Sequence, residues 1–148
     1  MNYKEIVESF YNKLISVESD ITGVKLAEDK WSLKEIVGHL IDSASNNHQR
    51  FVRLQISDLL DFPTYQGELW VDIQKHNSMN WGMLISLWYN YNLLLLNIIN
   101  EIDSSKLENV WIKDEAAIPL SELITHYFRH LELHIEHFNT RLVEVKNS

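Results

Sequence analysis

Four of the seven histidines in the chain fall in one short segment near its C-terminus, HYFRHLELHIEH. They are His126, His130, His134 and His137, spaced four, four and three residues apart. If the segment is helical, an advance of about 100° per residue places all four imidazoles within about 80° of arc. Two histidines one turn apart can direct ring nitrogens at the same ion, and this segment contains two such pairs. The stripe is a candidate metal site, with a solvent-facing stripe as the alternative.

A divalent metal ion needs at least one further protein ligand, which in a helical bundle comes from a facing helix. The chain contains no cysteine, so the ligands must be His, Asp or Glu. His39, in EIVGHLIDS, is the obvious candidate. It lies about 140° from the centre of the apolar stripe of its own helix. Its face is polar and carries Glu35, Ser43, Asn46 and Arg50. Such a face belongs either to solvent or to the wall of a cavity.

The elements that must position these residues are helices. Apolar periodicity predicts long helices over residues 2–17, 32–57, 79–102 and 119–145, and a short additional helix is an open possibility within 68–77. Ser32 and Glu35 form a capping box at the start of the second helix, and Pro119 suits the first turn of the last one. The other segments are predicted to be connectors. With 148 residues, only four glycines and two prolines, the chain is predicted to be one all-α domain, 1–148, a four-helix bundle with long crossing connections.

Composition argues against several classes of partner. The formal net charge of −8 disfavours nucleic acid, because phosphate backbones are bound by clustered Lys and Arg. The N-terminus lacks the features of a signal peptide, and no uninterrupted apolar run approaches the ~18 residues of a membrane span. We therefore expect a cytoplasmic protein with no membrane or nucleic-acid partner. The helix predicted over 79–102 is apolar on most of its circumference, which is compatible with a buried dimer face.

Two segments resemble a known family. KWSLKEIVGHLIDSASNNHQRF resembles the second helix of the DinB-like superfamily, in which a Trp-Ser start leads to a His-Leu-x-Asp step. ITHYFRHLELHIEHF resembles the last helix of that family, in which HxxxH supplies two metal ligands. The resemblance covers nearly the whole chain in helix order and spacing. It implies an up-down-down-up four-helix bundle, often homodimeric, with a divalent metal such as nickel or zinc on three histidines.

Carried over to this sequence, the resemblance implies His39, His130 and His134 as the ligands. A triad that uses His126 with His130 stays an alternative. Three neutral imidazoles leave open coordination positions, where the pKa of a bound water or external thiol is lowered. The implied activities are a metal-dependent hydrolase or a thiol-dependent S-transferase acting on a small molecule, the latter with an external low-molecular-weight thiol. The alternative is a non-catalytic, dimeric ligand-binding or interaction bundle with a structural metal or none.

The remaining polar candidates are weaker. His126 is expected to pack beside the site, His137 to have no special role, and His48 to be a hydrogen-bonded core imidazole; His76 lies in a segment of uncertain structure. No catalytic residue is assigned, and Asp42 is the acid to examine first because it belongs to the matched His-Leu-Ile-Asp step. Solvated or capping roles are favoured for four helical carboxylates, those of Glu35, Asp42, Glu132 and Glu136. Trp70 and Trp111 lie in connectors that could cover the site.

Overall fold

The computed structural model describes residues 2–148, and four long helices dominate it. They are α1 (Tyr3–Ser16), α2 (Leu33–Arg53), α4 (Trp81–Asn100) and α5 (Leu120–Lys146), with a short α3 (Gly67–Gln74) between the second and third of them. The open possibility of a short helix within 68–77 is thereby resolved in favour of a helix. Single 3-10 turns follow at Ser19–Ile21, His76–Ser78 and Ser104–Lys106.

Local sequence signals set where the helices begin. The Ser32 side chain accepts a hydrogen bond from the Glu35 backbone N–H while the Glu35 carboxylate accepts one from the Ser32 N–H, so the predicted capping box is present. The Asn80 side chain caps α4 by accepting from the Met83 N–H. Pro119 lies one residue earlier than predicted, at the N-cap of α5, and it also ends a strand.

A small sheet lies in the connectors and was not predicted. Its strands are β1 (Leu59–Leu60), β2 (Val110–Lys113) and β3 (Ala116–Pro119). β1 pairs in parallel with β2, placing Leu59 opposite Trp111, and β2 pairs antiparallel with β3. The architecture is therefore a helical bundle, as predicted, with one three-stranded sheet added at the connectors.

The core lies between the long helices. α2 packs against α4 and α5, and α1 against the same two helices. Trp88, Phe51, Phe128 and Phe138 are among the largest fully buried side chains. The up-down-down-up order of the helices stays a prediction from the family resemblance.

α4 keeps part of its apolar surface exposed. Among the described residues it is the one helix with the length and apolarity of a membrane span, and 28% of its most apolar window is buried. Core helices of bundles also meet that criterion, and Trp88 and Leu95 of α4 are fully buried in the bundle. Met83, Leu87 and Leu94 are between 44% and 45% exposed.

Candidate metal centre

Three histidines from two helices meet at one point of the bundle. His39 projects from α2, and His130 and His134 project from successive turns of α5. One ring nitrogen from each lies within 4.8 Å of the other two. The Nε2 atoms of His39 and His130 are 3.2 Å apart. Two imidazoles on a tetrahedral ion, with metal–nitrogen bonds of about 2.0–2.1 Å, hold their nitrogens about 3.3 Å apart. The spacing of that pair fits a shared ion.

The three imidazoles are held in the neutral form. Burial, followed by electrostatic repulsion from His134 and His130, lowers the pKa of His39 from 6.5 to about 3. Burial, followed by repulsion from His130 and His137, lowers the pKa of His134 to about 4. Burial also lowers the pKa of His130. A neutral imidazole offers a lone pair to a metal and a protonated one does not, so this donor set suits a divalent ion at neutral pH.

Comparison with known proteins gives a match in structure alone. No protein-family model and no curated protein sequence matches the chain. Among solved structures it is similar to YfiT from Bacillus subtilis, with a TM-score of 0.81 and 15% sequence identity over 96% of this chain and 85% of that one. YfiT is described as a probable metal-dependent hydrolase with an unusual four-helix bundle topology. The chain has the DinB-like fold.

In this DinB-like bundle, neighbours orient two of the three imidazoles through their second ring nitrogen. The Ser43 Oγ lies 3.5 Å from the Nδ1 of His130. The Nδ1 atoms of His134 and His137 lie 3.3 Å apart, so one ring donates to the other. His137 therefore contacts a candidate ligand directly, and the expectation that it has no special role was wrong. Its spacing of three after His134 was the signal in the sequence, because residues three apart are neighbours on a helix.

His39 is fixed by packing. Its Nδ1 is buried and finds no hydrogen-bond partner among residues 2–148. The first residue of α3, Gly67, lies directly against the ring, where an added Cβ would come within 3.0 Å of the Cε1 of His39. The Trp31 indole covers the other side, with ring centroids 4.8 Å apart. The buried Arg141 guanidinium donates to the Trp31 carbonyl and so fixes the backbone there.

Trp31 also reaches the second helix of the site. Its ring centroid lies 6.3 Å from that of His134 and 6.2 Å from that of His137. Of the two tryptophans expected to cover the site, Trp111 lines the cleft beside His39, whereas Trp70 is 37% exposed and stacks near Tyr65. Trp31 was not singled out as a cover, although it stands in the Trp-Ser pair that starts α2.

Asp42 is a structural residue in this fold. It is 2% exposed, contrary to the expectation of a solvated carboxylate. Its Oδ1 accepts a hydrogen bond from the Gln74 Nε2 at 2.9 Å, and its Oδ2 lies 3.3 Å from the Nε2 of His76, which is itself buried. Asp42 thus ties α2 to α3 and the turn after it, and it makes no hydrogen bond to His39.

The other predicted candidates lie outside the cluster. His126 is half exposed and pairs with Glu122 at 3.3 Å, so the structure brings His134 rather than His126 to His39. His48 is partly buried and its Nδ1 lies 2.8 Å from the Tyr91 hydroxyl, which agrees with a hydrogen-bonded imidazole. Glu35 is occupied by the capping box and by Lys25 at 2.7 Å. Glu132 and Glu136 line a hollow shared with α1, away from the histidines.

A cleft opens beside the three histidines. One part, of about 290 Å³, is lined by His39, Arg50 and Trp111. An adjoining part, of about 260 Å³, shares Arg50 and Trp111 and reaches His130. A larger hollow of about 680 Å³ lies between Trp31 and α3, and no histidine lines it. The cleft that reaches the histidines is therefore the one suited to a substrate.

Proposed function

We propose that this chain is a divalent-metal-dependent hydrolase that acts on a small molecule, with His39, His130 and His134 as the metal ligands. The observation that carries the proposal is the convergence of three neutral imidazole nitrogens, from two helices, beside an open cleft. The structural likeness to YfiT supports the same class of activity.

The residues have separate tasks in this proposal. A divalent ion on three imidazoles retains open positions and lowers the pKa of water there to about 7, which supplies a nucleophile at neutral pH. Ser43 and His137 hold the rings of His130 and His134 at their second nitrogens, a type of contact that fixes ligand orientation. Trp31 and Gly67 confine His39 and limit the access of bulk water from that side.

Two finer assignments follow from the family resemblance. Nickel or zinc is proposed as the metal, since imidazole is a good ligand for both. Thiol-dependent S-transfer is the second candidate activity, because the same site would lower the pKa of a bound thiol. With no cysteine in the chain, that thiol would be an external low-molecular-weight compound. Product formation that requires added thiol would favour the transferase, and product formation without thiol would favour the hydrolase.

A non-catalytic bundle is the competing class. In that case the chain would bind a ligand or a partner, with a structural metal or none. We further propose that the protein is a homodimer, because Met83, Leu87 and Leu94 form an exposed apolar stripe on α4. A homodimer is compatible with either class, so the metal and the activity decide between them.

The test uses protein purified without a histidine tag. The metal content is measured by inductively coupled plasma mass spectrometry, and hydrolysis is measured on a panel of small esters, amides and lactones. We expect about one divalent ion per chain and a metal-dependent rate on at least one substrate class, both abolished in His39→Ala. The matched control is His126→Ala, which removes a histidine of α5 outside the cluster and should preserve both. A wild-type protein that rejects added zinc and nickel would leave the non-catalytic class.

A further inference from the structure

Arg50 is a buried cation in the wall of the cleft. It lies on α2 three turns after His39, on the same polar face, and is 7% exposed. Its Nε atom is buried and makes no hydrogen bond with any residue in the range 2–148. No carboxylate of the described chain forms an ion pair with it. Burial lowers the pKa of its guanidinium, which still carries its charge at neutral pH.

The guanidinium is held in place by stacking. Its central carbon lies 4.2 Å from the centroid of the Trp111 ring. The Trp111 indole is fixed in turn, because its Nε1 donates to the Phe62 carbonyl at 3.0 Å and the residue is 4% exposed. Stacking of this kind satisfies the face of a guanidinium and leaves its N–H groups at the edge free to bind a ligand.

A second cation stands on the same strand. Lys113 follows Trp111 by two residues in β2, so both side chains project from the same side of the strand. Its Nζ lies 5.8 Å from the centroid of the Trp111 ring, and Lys113 lines both parts of the cleft with Arg50. The cleft therefore contains two positive charges in a chain whose net charge is −8.

A buried charge without a counter-ion costs several kcal/mol, and native proteins pair such charges or use them to bind ligands. The hydroxyl of Tyr65 is the nearby polar group that lines the same cleft, and burial raises its pKa, so it is neutral. A neutral phenol can hydrogen-bond an anion but cannot balance the charge of Arg50. The counter-charge must come from a bound molecule.

We propose that this cleft binds the carboxylate of the substrate, with Arg50 as the principal anchor and Lys113 as the second cation. The planar fork of a guanidinium matches a carboxylate in a two-point hydrogen bond. Because the two parts of the cleft reach His39 and His130 respectively, a molecule anchored on Arg50 extends directly to the proposed metal centre. This inference rests on the proposed function for its consequence, which is that the substrate is a small carboxylic acid derivative.

The test measures binding to the metal-free protein, so its result does not depend on whether the metal site is correct. Benzoate is titrated into ¹⁵N-labelled protein, with benzamide as the neutral probe of equal shape and inorganic phosphate as a second anion. We expect benzoate to give saturable shifts at the Arg50 side chain and the Trp111 indole N–H, and benzamide to bind at least about tenfold more weakly. Phosphate that binds more tightly than benzoate would overturn the assignment to carboxylates.

Variants separate the anchor from general charge effects. Arg50→Gln should weaken benzoate binding at least about tenfold, while Arg53→Gln, an exposed arginine one turn along α2, should leave it unchanged. Thermal unfolding shows whether Arg50→Gln remains folded. If it does not, the exposed Lys113→Gln replaces it, with severalfold weaker binding expected. Equal affinity for benzoate and benzamide, or unchanged benzoate affinity in the folded variants, would overturn the proposal.

Discussion

His137 holds a candidate metal ligand in position. Its Nδ1 lies 3.3 Å from the Nδ1 of His134, and this contact leaves the other nitrogen of His134 free to face His39 and His130. Partners of this kind fix the tautomer and the orientation of a ligating imidazole.

Replacing His137 should therefore weaken metal binding without abolishing it. We expect His137→Phe to raise the dissociation constant for zinc by about 10- to 100-fold, the effect typical of losing such a partner. Competition with a chromophoric chelator measures it. His126→Phe, on the same helix but outside the cluster, is the control and should bind zinc like the wild type. An unchanged affinity in His137→Phe would show that His134 is held by packing alone.

The lowered pKa values of the site predict how acid affects the metal-free protein. The unfolded chain takes up protons at these histidines near pH 6.5, whereas in the folded chain the pKa is about 3 for His39 and about 4 for His134. The unfolded state thus binds more protons between these values, so the free energy of unfolding is highest above about pH 6.5 and falls as the pH drops toward about 4.

Urea unfolding across that pH range measures the effect. In the double variant His39→Gln/His134→Gln the dependence on pH should be clearly shallower, because two of the groups that cause it are gone. An identical dependence in both proteins would mean that these imidazoles are already protonated, or titrate normally, in the folded state.

Residue types and helical spacing identified His39, His130 and His134 in advance, because a helix converts sequence spacing into direction. The same reasoning failed for Asp42 and Arg50. Both lie on the polar face of α2, and whether such a face is solvated or buried depends on connectors packed over it. The burial of Arg50 comes from Trp111, which is 61 residues away in sequence, and no local pattern encodes that contact.

At the level of elements, the junction of α2 with α3 and the following turn depends on a missing side chain. Gly38, in the middle of α2, faces His76, and a Cβ built on it would lie 2.3 Å from the Cγ of His76. That atom belongs to the ring attachment of a buried side chain that also contacts Asp42. The close approach therefore explains a glycine within a helix, where it otherwise costs about 1 kcal/mol relative to alanine.

Gly38→Ala should accordingly destabilise the protein in spite of the better helix propensity of alanine. We expect a loss of about 1–3 kcal/mol, the usual cost of overpacking, measured as a lower urea midpoint. Gly23→Ala is the control, since its Cβ would meet its nearest neighbour at an ordinary 3.7 Å. A Gly38→Ala variant as stable as the wild type would mean that α2 and the His76 turn are not in close contact.

The helices were predicted more successfully than the connectors. Apolar periodicity and the capping box at Ser32 mark the helices directly, because both are local. The three-stranded sheet was missed because β1 and β2 are two and four residues long and pair across 52 positions of sequence, as Leu59 with Trp111. Strands this short lack a countable alternation, and their pairing depends on where the bundle places their ends.

For the whole molecule, α4 determines the expected assembly. Met83, Leu87 and Leu94 share one side of this helix, since four and seven residues correspond closely to one and two turns, and each is at least 44% exposed. An exposed apolar stripe of this kind is typical of an interface between subunits.

We expect the wild type to be a dimer and Leu87→Glu/Leu94→Glu to be a folded monomer, because carboxylates in an apolar interface are costly to bury. Sedimentation equilibrium measures the mass. Leu133→Glu, which alters a leucine of α5 that is 61% exposed, is the control and should remain a dimer. A wild type that is monomeric at high concentration would exclude α4 as a dimer face.

The most direct test of the metal centre is an anomalous-scattering map from crystals of untagged protein grown with nickel or zinc. The account predicts one strong peak within about 2.0–2.2 Å of a ring nitrogen of each of His39, His130 and His134, with at least one coordination position open toward the cleft of Arg50. A map with no peak among these three imidazoles, or with the ion on His126 and His130 instead, would contradict it.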